Sequence, residues 1–363
     1  MMLMSLFPAL LVYDVLLIAA SITQSSALSI TERLPQRRRP ELVLHHNLQN
    51  HDDETTNAHN LLSHRRRRVV SSLLSNALFG FALPIWTITE TAIPRISSNY
   101  ANAAIRDAKT GILLPSVGEI ESAIPTAWDE DDNLLPGGGY DKSSFSRLDS
   151  SPDSIFYSDP RFVEHVDAQA VESMTSYISY RLLHPGDEVL DMCSSWTSHI
   201  RKQQTSSSGE AIPLSLKRVA GLGMNAKELE SNPVLSDWTV LDMNADAKVK
   251  LPFEDESFDV VLLQLSIDYL IYPLEVLKEV SRVLRKNGRI AIVFSNRLFL
   301  SKAVGIWTGS DDIEHTYTVG NYLHFCGGGF TNIKAEDLST RKQKGKERMI
   351  VGDPLYVVTA TKG

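Results

Sequence analysis

The strongest constraint on the fold of this 363-residue chain is an alternation of short apolar runs with helical and turn patterns between residues 185 and 296. Four runs of strand length begin the pattern: Val189–Met192, Arg218–Leu222, Trp238–Leu241 and Phe258–Leu263. An amphipathic helix is predicted over Pro273–Leu284, followed by a fifth strand over Arg289–Phe294. Alternating strands and helices predict a parallel sheet with helices on both faces, which binds ligands beyond the carboxyl ends of its strands.

The pattern continues on both sides of this region. Apolar residues at helical spacing predict one or two helices over Pro160–Leu183, and a further helical segment is predicted around Phe299–Trp307. Two late strands are predicted over Phe330–Ala335 and Leu355–Ala360. The preceding Gly327–Gly329 is predicted to form a turn rather than a phosphate-binding loop, because neither a helix nor a lysine directly follows it.

The beginning of the chain has the composition of a targeting region. Leu3–Ala20 is strongly apolar and resembles a secretory signal segment; a transmembrane anchor is the alternative, which Asp14 in mid-run disfavours. Residues 28–64 are polar and aperiodic, which predicts disorder. The arginines Arg65–Arg68, a second apolar run and the small-residue site Ala101–Ala103 resemble a twin-arginine export signal, although a solvated basic cluster explains the same arginines.

These segments divide the chain into a targeting region over residues 1–103, an extended lead-in over 104–154 and a folded domain over 155–363, with order predicted to begin near Ile155. The order of the targeting segments predicts delivery to a plastid (chloroplast) through the secretory route, ending in the stroma or the thylakoid lumen. No apolar run after the targeting region approaches membrane-spanning length, so no membrane span is expected in the mature protein.

Charge is distributed unevenly along the chain. Residues 1–103 contain nine arginines and seven acidic residues, a net charge of +2, whereas the remainder contains 27 basic and 37 acidic residues, a net charge of −10. An acidic body repels phosphate backbones, so nucleic acid is not an expected partner. Cys193 and Cys326 are too few for a disulfide framework or a structural zinc site, and no histidine has metal-like spacing with them, so no metal is expected.

Three motifs in the alternating region together carry a family resemblance. Val189–Trp196 is an apolar strand that ends in an acid and a loop of mostly small residues, Leu251–Val261 leads into the fourth strand, and Glu279–Arg289 joins a helix to the fifth strand. Over roughly 110 residues, their order and spacing resemble those of class I S-adenosylmethionine-dependent methyltransferases. The resemblance implies a Rossmann-like α/β fold, with a mostly parallel seven-stranded sheet and helices on both faces, and S-adenosyl-L-methionine as cofactor.

A narrower group is also similar. The elements Cys193–Trp196, Gly223–Asn225 and Asn232–Leu235 resemble those of plant and algal methyltransferase-like proteins, commonly directed to plastids, whose glycine loop is degenerate. No substrate is assigned by this resemblance. The methyl acceptor, a small molecule or a protein, therefore stays unknown.

The loop after the first strand departs from the pattern of the class I family. Glycines there let the backbone turn sharply and approach the ligand, but this chain has Cys193, Ser194, Ser195 and Trp196. The first three are small, and the resemblance places them at the cofactor, where a serine hydroxyl could bond its amino-acid end. Trp196 must point away from the ligand or occupy its space. The helix after this loop is predicted to be short at best, because Gln203–Gly209 is of low complexity.

The ends of the first two strands carry the next candidate residues. Asp191 ends an apolar strand, where a carboxylate needs a polar partner, and the resemblance places it at the cofactor. The acid that binds the ribose in the family falls on Gly223, which has no side chain. Asn225 is the nearest acceptor for the cofactor; alternatively it caps a helix, with Glu228 completing a capping box, and the cap is the preferred interpretation.

The later strands supply the remaining candidates. Asp242 follows the third strand, where the resemblance implies a carboxylate that accepts the adenine amino group, with the amide of Met243 reaching a ring nitrogen. Gln264–Asp268, after the fourth strand, is expected to line the cavity where the methyl group is presented. No general base stands out. His165 is expected on a lead-in helix that could cover the cofactor, although a histidine on a helix surface is more often solvated.

Three functions are compatible with these features. The leading hypothesis is an S-adenosylmethionine-dependent methyltransferase, for which the missing base is no obstacle because the sulfonium is already activated and alignment does much of the work. The alternative is a non-catalytic binding or scaffold protein that keeps the fold and has lost cofactor use, as Gly223 and Trp196 favour. A pocket for another adenine-containing ligand ranks below both.

Overall fold

The computed structural model describes residues 105–107, 113–133, 143–205, 209–344 and 347–363. The predicted signal, transit-like and twin-arginine segments lie outside these residues. Within the described ranges, no helix combines the length and apolar character needed to cross a membrane.

Thirteen strands and seven α-helices form in the described part of the chain. The strands are β1 (Ile105–Asp107), β2 (Leu113–Leu114), β3 (Glu188–Met192), β4 (Gln203–Thr205), β5 (Ala211–Pro213), β6 (Arg218–Gly223), β7 (Asp237–Val240), β8 (Phe258–Gln264), β9 (Leu284–Phe294), β10 (Phe330–Asp337), β11 (Arg341–Lys344), β12 (Glu347–Ile350) and β13 (Tyr356–Lys362). The helices are α1 (Val117–Glu121), α2 (Asp153–Phe156), α3 (Ala168–Tyr177), α4 (Ala226–Ser231), α5 (Pro273–Val283), α6 (Gly305–Thr308) and α7 (Asp312–Phe325).

The main sheet has seven strands in the order β10-β13-β9-β8-β3-β6-β7. The five strands from β9 to β7 are parallel, and β13 is antiparallel to both of its neighbours. The predicted Rossmann-like, mostly parallel seven-stranded sheet is therefore confirmed. Because β3 lies between β6 and β8, the strand order reverses at β3, and a ligand site is expected at its carboxyl end.

Each face of the main sheet is covered by its own helices. Leu190 and Leu263 belong to the cluster under α5 and α7, whereas Val189 and Val260 belong to the cluster under α3 and the π-helical turn Ile178–Leu182. Neighbouring residues of a strand point to opposite faces, so continuously apolar strands are needed for a sheet that is buried on both sides. This requirement explains why the strand predictions agree with the structure within one to two residues, apart from β9, which begins five residues early.

Helix α7 was missed by the sequence pattern, and the helix predicted around Phe299–Trp307 is reduced to the single turn α6. The reason is that α7 is buried on most sides, so its apolar residues do not form one stripe. A start signal was nevertheless present. Asp311 accepts hydrogen bonds at the N-terminus of α7, and Glu314 completes a capping box.

Two predictions about the lead-in are wrong. Order begins well before Ile155, because Ile120 of α1 is fully buried in the main core and Asn321 of α7 donates a 2.6 Å hydrogen bond to the carbonyl of Asp132. Residues 160–167 are not helical either. Helix α3 starts only at Ala168, with the Asp167 carboxylate as its N-cap, so His165 is not on a helix.

A buried charged cluster ties this early segment to the end of the domain. Lys302 has no solvent exposure, and its Nζ donates to the carbonyl of Ser151 at 2.7 Å. The same Nζ lies 3.1 Å from Asp149 Oδ2 and 3.4 Å from Asp153 Oδ1. Arg147 forms a second ion pair with Asp153 at 2.8 Å. Burial alone would raise the pKa of Asp153, but the hydrogen bond and charge of Arg147 lower it overall.

Candidate functional site

A pocket opens at the carboxyl ends of β3, β6, β7 and β8, where the strand order reverses. Of the residues that the sequence places at the cofactor, seven line it: Asp191, Cys193, Ser194, Ser195, Asp242, Met243 and Gln264. Asn225 does not. The segment of residues 157–165, called the strap below, contributes Tyr157, Arg161, Val163, Glu164 and His165 to the lining. Among the described residues no group of three side chains suited to a metal ion is found.

The loop after β3 adopts a glycine-like conformation without glycine. Cys193 and His199 have φ angles of 52° and 51°, a left-handed region that costs roughly 1–2 kcal/mol for a residue with a side chain. Hydrogen bonds hold the loop in place: the amide of Ser194 donates to the carbonyl of Leu222 at 2.8 Å, and Asn232 donates to the carbonyl of Ser195 at 2.9 Å. Among the described residues between β3 and β6 there is no helix, where one that is short at best was expected; the antiparallel strands β4 and β5 lie there instead.

Gly223 has a steric reason to lack a side chain. A Cβ atom at this position would lie 2.2 Å from the carbonyl oxygen of Ser194, a backbone atom that cannot rotate away. The carbonyl of Ser194, in the loop after β3, therefore leaves no room for a side chain at Gly223. The absence of a side chain at Gly223 and the path of the loop after β3 therefore depend on each other.

Asn225 is a helix cap, as the preferred interpretation predicted. Its Oδ1 accepts from the amides of Lys227 and Glu228 at 3.0 and 3.3 Å, and its Nδ2 donates to the carbonyl of Tyr157 at 2.9 Å. The predicted capping box is wrong, because the Glu228 side chain turns away from the cap toward the pocket.

Glu228 is a site residue that the sequence pattern did not identify. Its carboxylate accepts from the Ser195 hydroxyl and from the backbone amide of Arg161, each at 2.6 Å, and it lines the pocket next to Gly223. It thus joins the loop after β3 to the strap. An acid in the first turn of α4 is common for dipole reasons alone, so the sequence contained no signal that could single it out.

A buried polar chain crosses the floor of the pocket. Asp191 is 1% exposed; its Oδ2 accepts from the Ser194 hydroxyl at 2.7 Å and its Oδ1 from Gln264 Nε2 at 2.9 Å. Burial raises the pKa of Asp191, although the hydrogen bonds from Ser194, Ser198 and Gln264 oppose this. The partner that a strand-end carboxylate requires is therefore supplied by the chain itself.

The chain of hydrogen bonds ends at the strap. His199 places Nδ1 2.9 Å from Gln264 Oε1 and Nε2 3.0 Å from Glu164 Oε2. Both neighbours are acceptors, so the doubly protonated imidazole satisfies both contacts by donating. Burial alone would lower the pKa of His199, but the hydrogen bond and charge of Glu164, with Gln264 and Asp191, raise it overall.

This arrangement predicts a pH-dependent contribution of His199 to stability. Because its pKa is raised on folding, the contribution is fully present below the unfolded value of about 6.5 and is lost as the pH rises through the folded value. We expect His199→Gln to destabilise the protein by about 1 kcal/mol at pH 5.5, because it removes a partly exposed ion pair with Glu164. At pH 9 the loss should be smaller. Denaturant unfolding at both pH values measures the difference. Glu164→Gln is the matched control, and it should reduce the difference in unfolding free energy between pH 5.5 and pH 9. An effect of His199→Gln that does not depend on pH would contradict the assignment.

Asp242 occupies the position that the resemblance assigns to adenine. Its Oδ1 accepts from the amide of Asn244 at 2.8 Å, which shapes the turn after β7 and orients the carboxylate at the pocket wall. Met243, the next residue, is 6% exposed and packs into the main core. The turn is therefore held rigidly from below while its carboxylate borders the pocket.

One wall of the pocket is aromatic. Tyr157, Tyr269 and Phe299 line it, and the rings of Tyr269 and Phe299 have centroids 6.1 Å apart. Desolvation raises the pKa of Tyr157. Asp268 does not line the pocket, which corrects the expectation for the whole segment Gln264–Asp268; it is buried behind the wall, and burial raises its pKa to about 7.

Cys193 and Trp196 lie between these walls. Burial raises the pKa of the Cys193 thiol to about 12, so it is neutral and acts as a small apolar group. The indole Nε1 of Trp196 donates to the carbonyl of Val163 at 3.3 Å, which places the ring at the pocket edge under the strap. This hydrogen bond joins Trp196 to the strap at the edge of the pocket.

Comparisons with known proteins find similarity to methyltransferases over part of the chain. Residues 211–292 match a protein-family model described as a methyltransferase domain. A malonyl-[acyl-carrier protein] O-methyltransferase of Marinomonas sp. is 32% identical over 73 residues, which cover 20% of this chain and 27% of the relative. The match thus spans only about a quarter of that relative's length.

Solved structures are also similar. An S-adenosylmethionine-dependent methyltransferase of Thermotoga maritima shares 19% identity with a TM-score of 0.36, covering 54% of this chain and 90% of the other. An S-adenosylmethionine-dependent methyltransferase of Mesorhizobium loti shares 14% identity with a TM-score of 0.32, covering 49% and 91%. The family match over residues 211–292 includes strands β6, β7 and β8 and helix α5 of the main sheet and its cover.

Proposed function

We propose that the protein is an S-adenosylmethionine-dependent methyltransferase acting on a small-molecule or protein acceptor. The observation that carries this proposal is the pocket at the reversal of strand order, which has Asp191 and Asp242 on its wall at the carboxyl ends of β3 and β7. When bound, S-adenosylmethionine supplies an activated methyl group on a sulfonium. The chain's own contribution is to hold the cofactor and acceptor in line and to exclude water.

The pocket residues fit the nucleoside half of the cofactor, but the carboxylate for the ribose comes from a different position than the resemblance implies. Asp242 can accept the adenine amino group, because among the described residues a hydrogen bond is found to its Oδ1 alone and a carboxylate oxygen accepts more than one. The ribose cannot meet an acid at Gly223. Glu228 is the carboxylate that lines the pocket nearest in sequence to that position, and each of its oxygens can accept a further bond from a ribose hydroxyl.

The amino-acid half would face the buried polar chain. Asp191 and Gln264 can accept from the cofactor's ammonium group, since each carboxylate oxygen accepts more than one hydrogen bond. The loop residues Ser194 and Ser195 lie beside them. An ammonium group next to Asp191 would also stabilise its ionised form, against the burial that raises its pKa.

Calorimetric titration of the full-length chain with S-adenosylhomocysteine tests this proposal. We expect micromolar binding, its loss with Asp242→Ala, and a decrease of about 10-fold with Glu228→Gln, which removes the charge but keeps the shape. Asp246→Ala is the matched control, because this exposed acid near the same turn does not line the pocket. No heat and no thermal shift at millimolar ligand would contradict cofactor use.

The alternative is a binding or scaffold protein that has lost cofactor use. One observation favours it specifically: a Cβ added at Gly223 would lie 2.2 Å from the carbonyl oxygen of Ser194, so the loop after β3 leaves no room there for the acid that the resemblance implies. The titration separates the two functions, since a scaffold would bind its partner without any response to S-adenosylhomocysteine.

We propose further that the protein is delivered to a plastid, in the stroma or the thylakoid lumen. This proposal is supported only by the segment order in residues 1–103. A fluorescent protein fused behind these residues should accumulate in plastids of algal cells. Retention of the fusion in the endoplasmic reticulum or its secretion would contradict the proposal.

A further inference from the structure

Four large apolar side chains in the segments that contribute to the pocket lining are exposed. Ile155, Phe162, Val163 and Leu300 have exposed fractions of 64%, 50%, 57% and 58%, and together they are called the apolar rim. Val163 itself lines the pocket, and Leu300 directly follows the lining residue Phe299. Single exposed apolar residues are ordinary, but a group next to a pocket is typical of a binding surface.

The apolar rim continues into the aromatic wall. Phe156 follows Ile155, and its ring meets that of Phe299 edge to face with a centroid distance of 5.4 Å. Tyr157, Tyr269 and Phe299 then extend the wall into the pocket. Aromatic rings in tilted arrangements offer edges and faces to another planar ring. The wall therefore suits a flat aromatic group, and the rim suits an apolar extension of it.

Arg161 supplies a positive charge at this wall. Of the described residues that line the pocket, it is the only lysine or arginine. Its guanidinium carbon lies 4.3 Å from the Phe156 ring centroid, and Nη2 donates to the Phe156 carbonyl at 2.9 Å. A guanidinium has five N–H donors, so others are available for an oxygen atom of a ligand.

We infer that the methyl acceptor is an amphiphilic aromatic molecule, with an oxygen-bearing ring beside Arg161 and an apolar tail across the apolar rim. The inference rests on the proposed function, because it names the substrate class of the same pocket. A small molecule is favoured over a protein partner, because four side chains cover far less than the roughly 800 Å² per partner of a stable protein interface. Continuity between rim and pocket wall points to one ligand that spans both.

The chemistry balances without a base in the pocket. A phenol or carboxylic acid loses its proton to water, and the resulting anion is stabilised by the Arg161 charge. An oxygen lone pair then forms the new bond to the methyl carbon while the carbon–sulfur bond breaks, and its electrons stay on sulfur. The products are a methyl ether or ester and S-adenosylhomocysteine.

The test is calorimetric titration of the full-length chain, saturated with S-adenosylhomocysteine, with two pairs of probes. Phenol is compared with 4-hexylphenol, and benzoate with 4-hexylbenzoate, so the two pairs distinguish a phenolic from a carboxylate acceptor. Burial of about two of the six tail carbons at about 0.8 kcal/mol each predicts at least 10-fold tighter binding of a hexyl compound. Phe162→Ser/Leu300→Ser should remove this advantage and leave the affinity for the parent compound unchanged.

A control variant separates the rim from exposed apolar surface in general. Tyr180→Ser/Ile212→Ser removes two side chains of 40% and 38% exposure that do not line the pocket, and it should keep the hexyl advantage. Equal affinities within both pairs, or an advantage that survives in the rim variant, would overturn the inference. A third result would also overturn the inference: the protein binds phosphatidylcholine vesicles, the rim variant loses this binding, and neither hexyl compound binds more tightly than its parent. The apolar rim would then be a membrane-binding surface. If S-adenosylhomocysteine itself does not bind, the proposed function fails first, and this result is distinguishable from the others.

Discussion

Gly223→Asp, which introduces at the end of β6 the acid that the family resemblance implies there, is expected to destabilise this protein rather than to improve binding of S-adenosylhomocysteine. The Cβ of any residue at this position would lie 2.2 Å from the carbonyl oxygen of Ser194. Backbone on both sides must shift to relieve the clash, which costs about 3 kcal/mol or more. Denaturant unfolding measures the loss. The same shift displaces the loop after β3, so affinity for S-adenosylhomocysteine should fall as well.

Two glycine variants separate the clash from the added charge. Gly223→Ala should lose nearly as much stability as Gly223→Asp, because the Cβ alone meets the backbone oxygen. Gly309→Ala should change stability by less than about 1 kcal/mol, since nothing lies within 4 Å of a Cβ there. A Gly223→Asp protein with native stability and tighter ligand binding would show that the loop can move aside and that the ribose site of the family is still accessible.

Lys302→Met is expected to cost about 3 kcal/mol of unfolding free energy, the second large effect. The methionine keeps most of the apolar stem but removes the ammonium group that contacts Ser151, Asp149 and Asp153. Asp153 is 4% exposed and would keep only Arg147 as an ionic partner. Thermal and denaturant unfolding would both show the loss, because the cluster joins the early segment to the residues after β9.

The matched control for this prediction is Lys217→Met. Lys217 also pairs with a carboxylate, Glu188 Oε1 at 3.2 Å, but its side chain is 68% exposed. Solvent screens such a pair, so we expect less than about 1 kcal/mol. Equal losses for the two variants would mean that the buried cluster does not stabilise the fold beyond a surface ion pair.

The predicted sheet agrees with the structure because its signals are local. A strand buried on both faces must be apolar at nearly every position, as in β3 and β8, and turns between such strands are marked by polar and small residues. Helix α5 has one apolar face, which the periodicity of its sequence shows directly. Helix α7 was missed because burial on most sides erases that periodicity, even though its capping box was visible.

The sequence predicted at which strand ends the candidate residues lie, but not their hydrogen-bond partners. Carboxyl ends of parallel strands meet at one edge of a sheet, so Asp191, Asp242 and Gln264 could be placed together from strand boundaries alone. Their hydrogen-bond partners could not be assigned in this way. His199 joins Gln264 to Glu164 because a left-handed backbone turn aims its ring there, and no sequence pattern encodes such a turn at a histidine.

The loop after β3 shows which features could be predicted from the sequence and which required the tertiary structure. The sequence by itself predicted, through the family resemblance, that glycines are replaced at Cys193–Trp196 and that the ribose-binding acid falls on Gly223, because both predictions depend only on residue identity. Only the tertiary structure shows that the two features depend on each other, since a Cβ added at Gly223 would lie 2.2 Å from the carbonyl oxygen of Ser194, 29 positions earlier in the chain. It also brought Glu228 to the pocket, because contacts between distant segments depend on how the whole chain packs and not on local pattern.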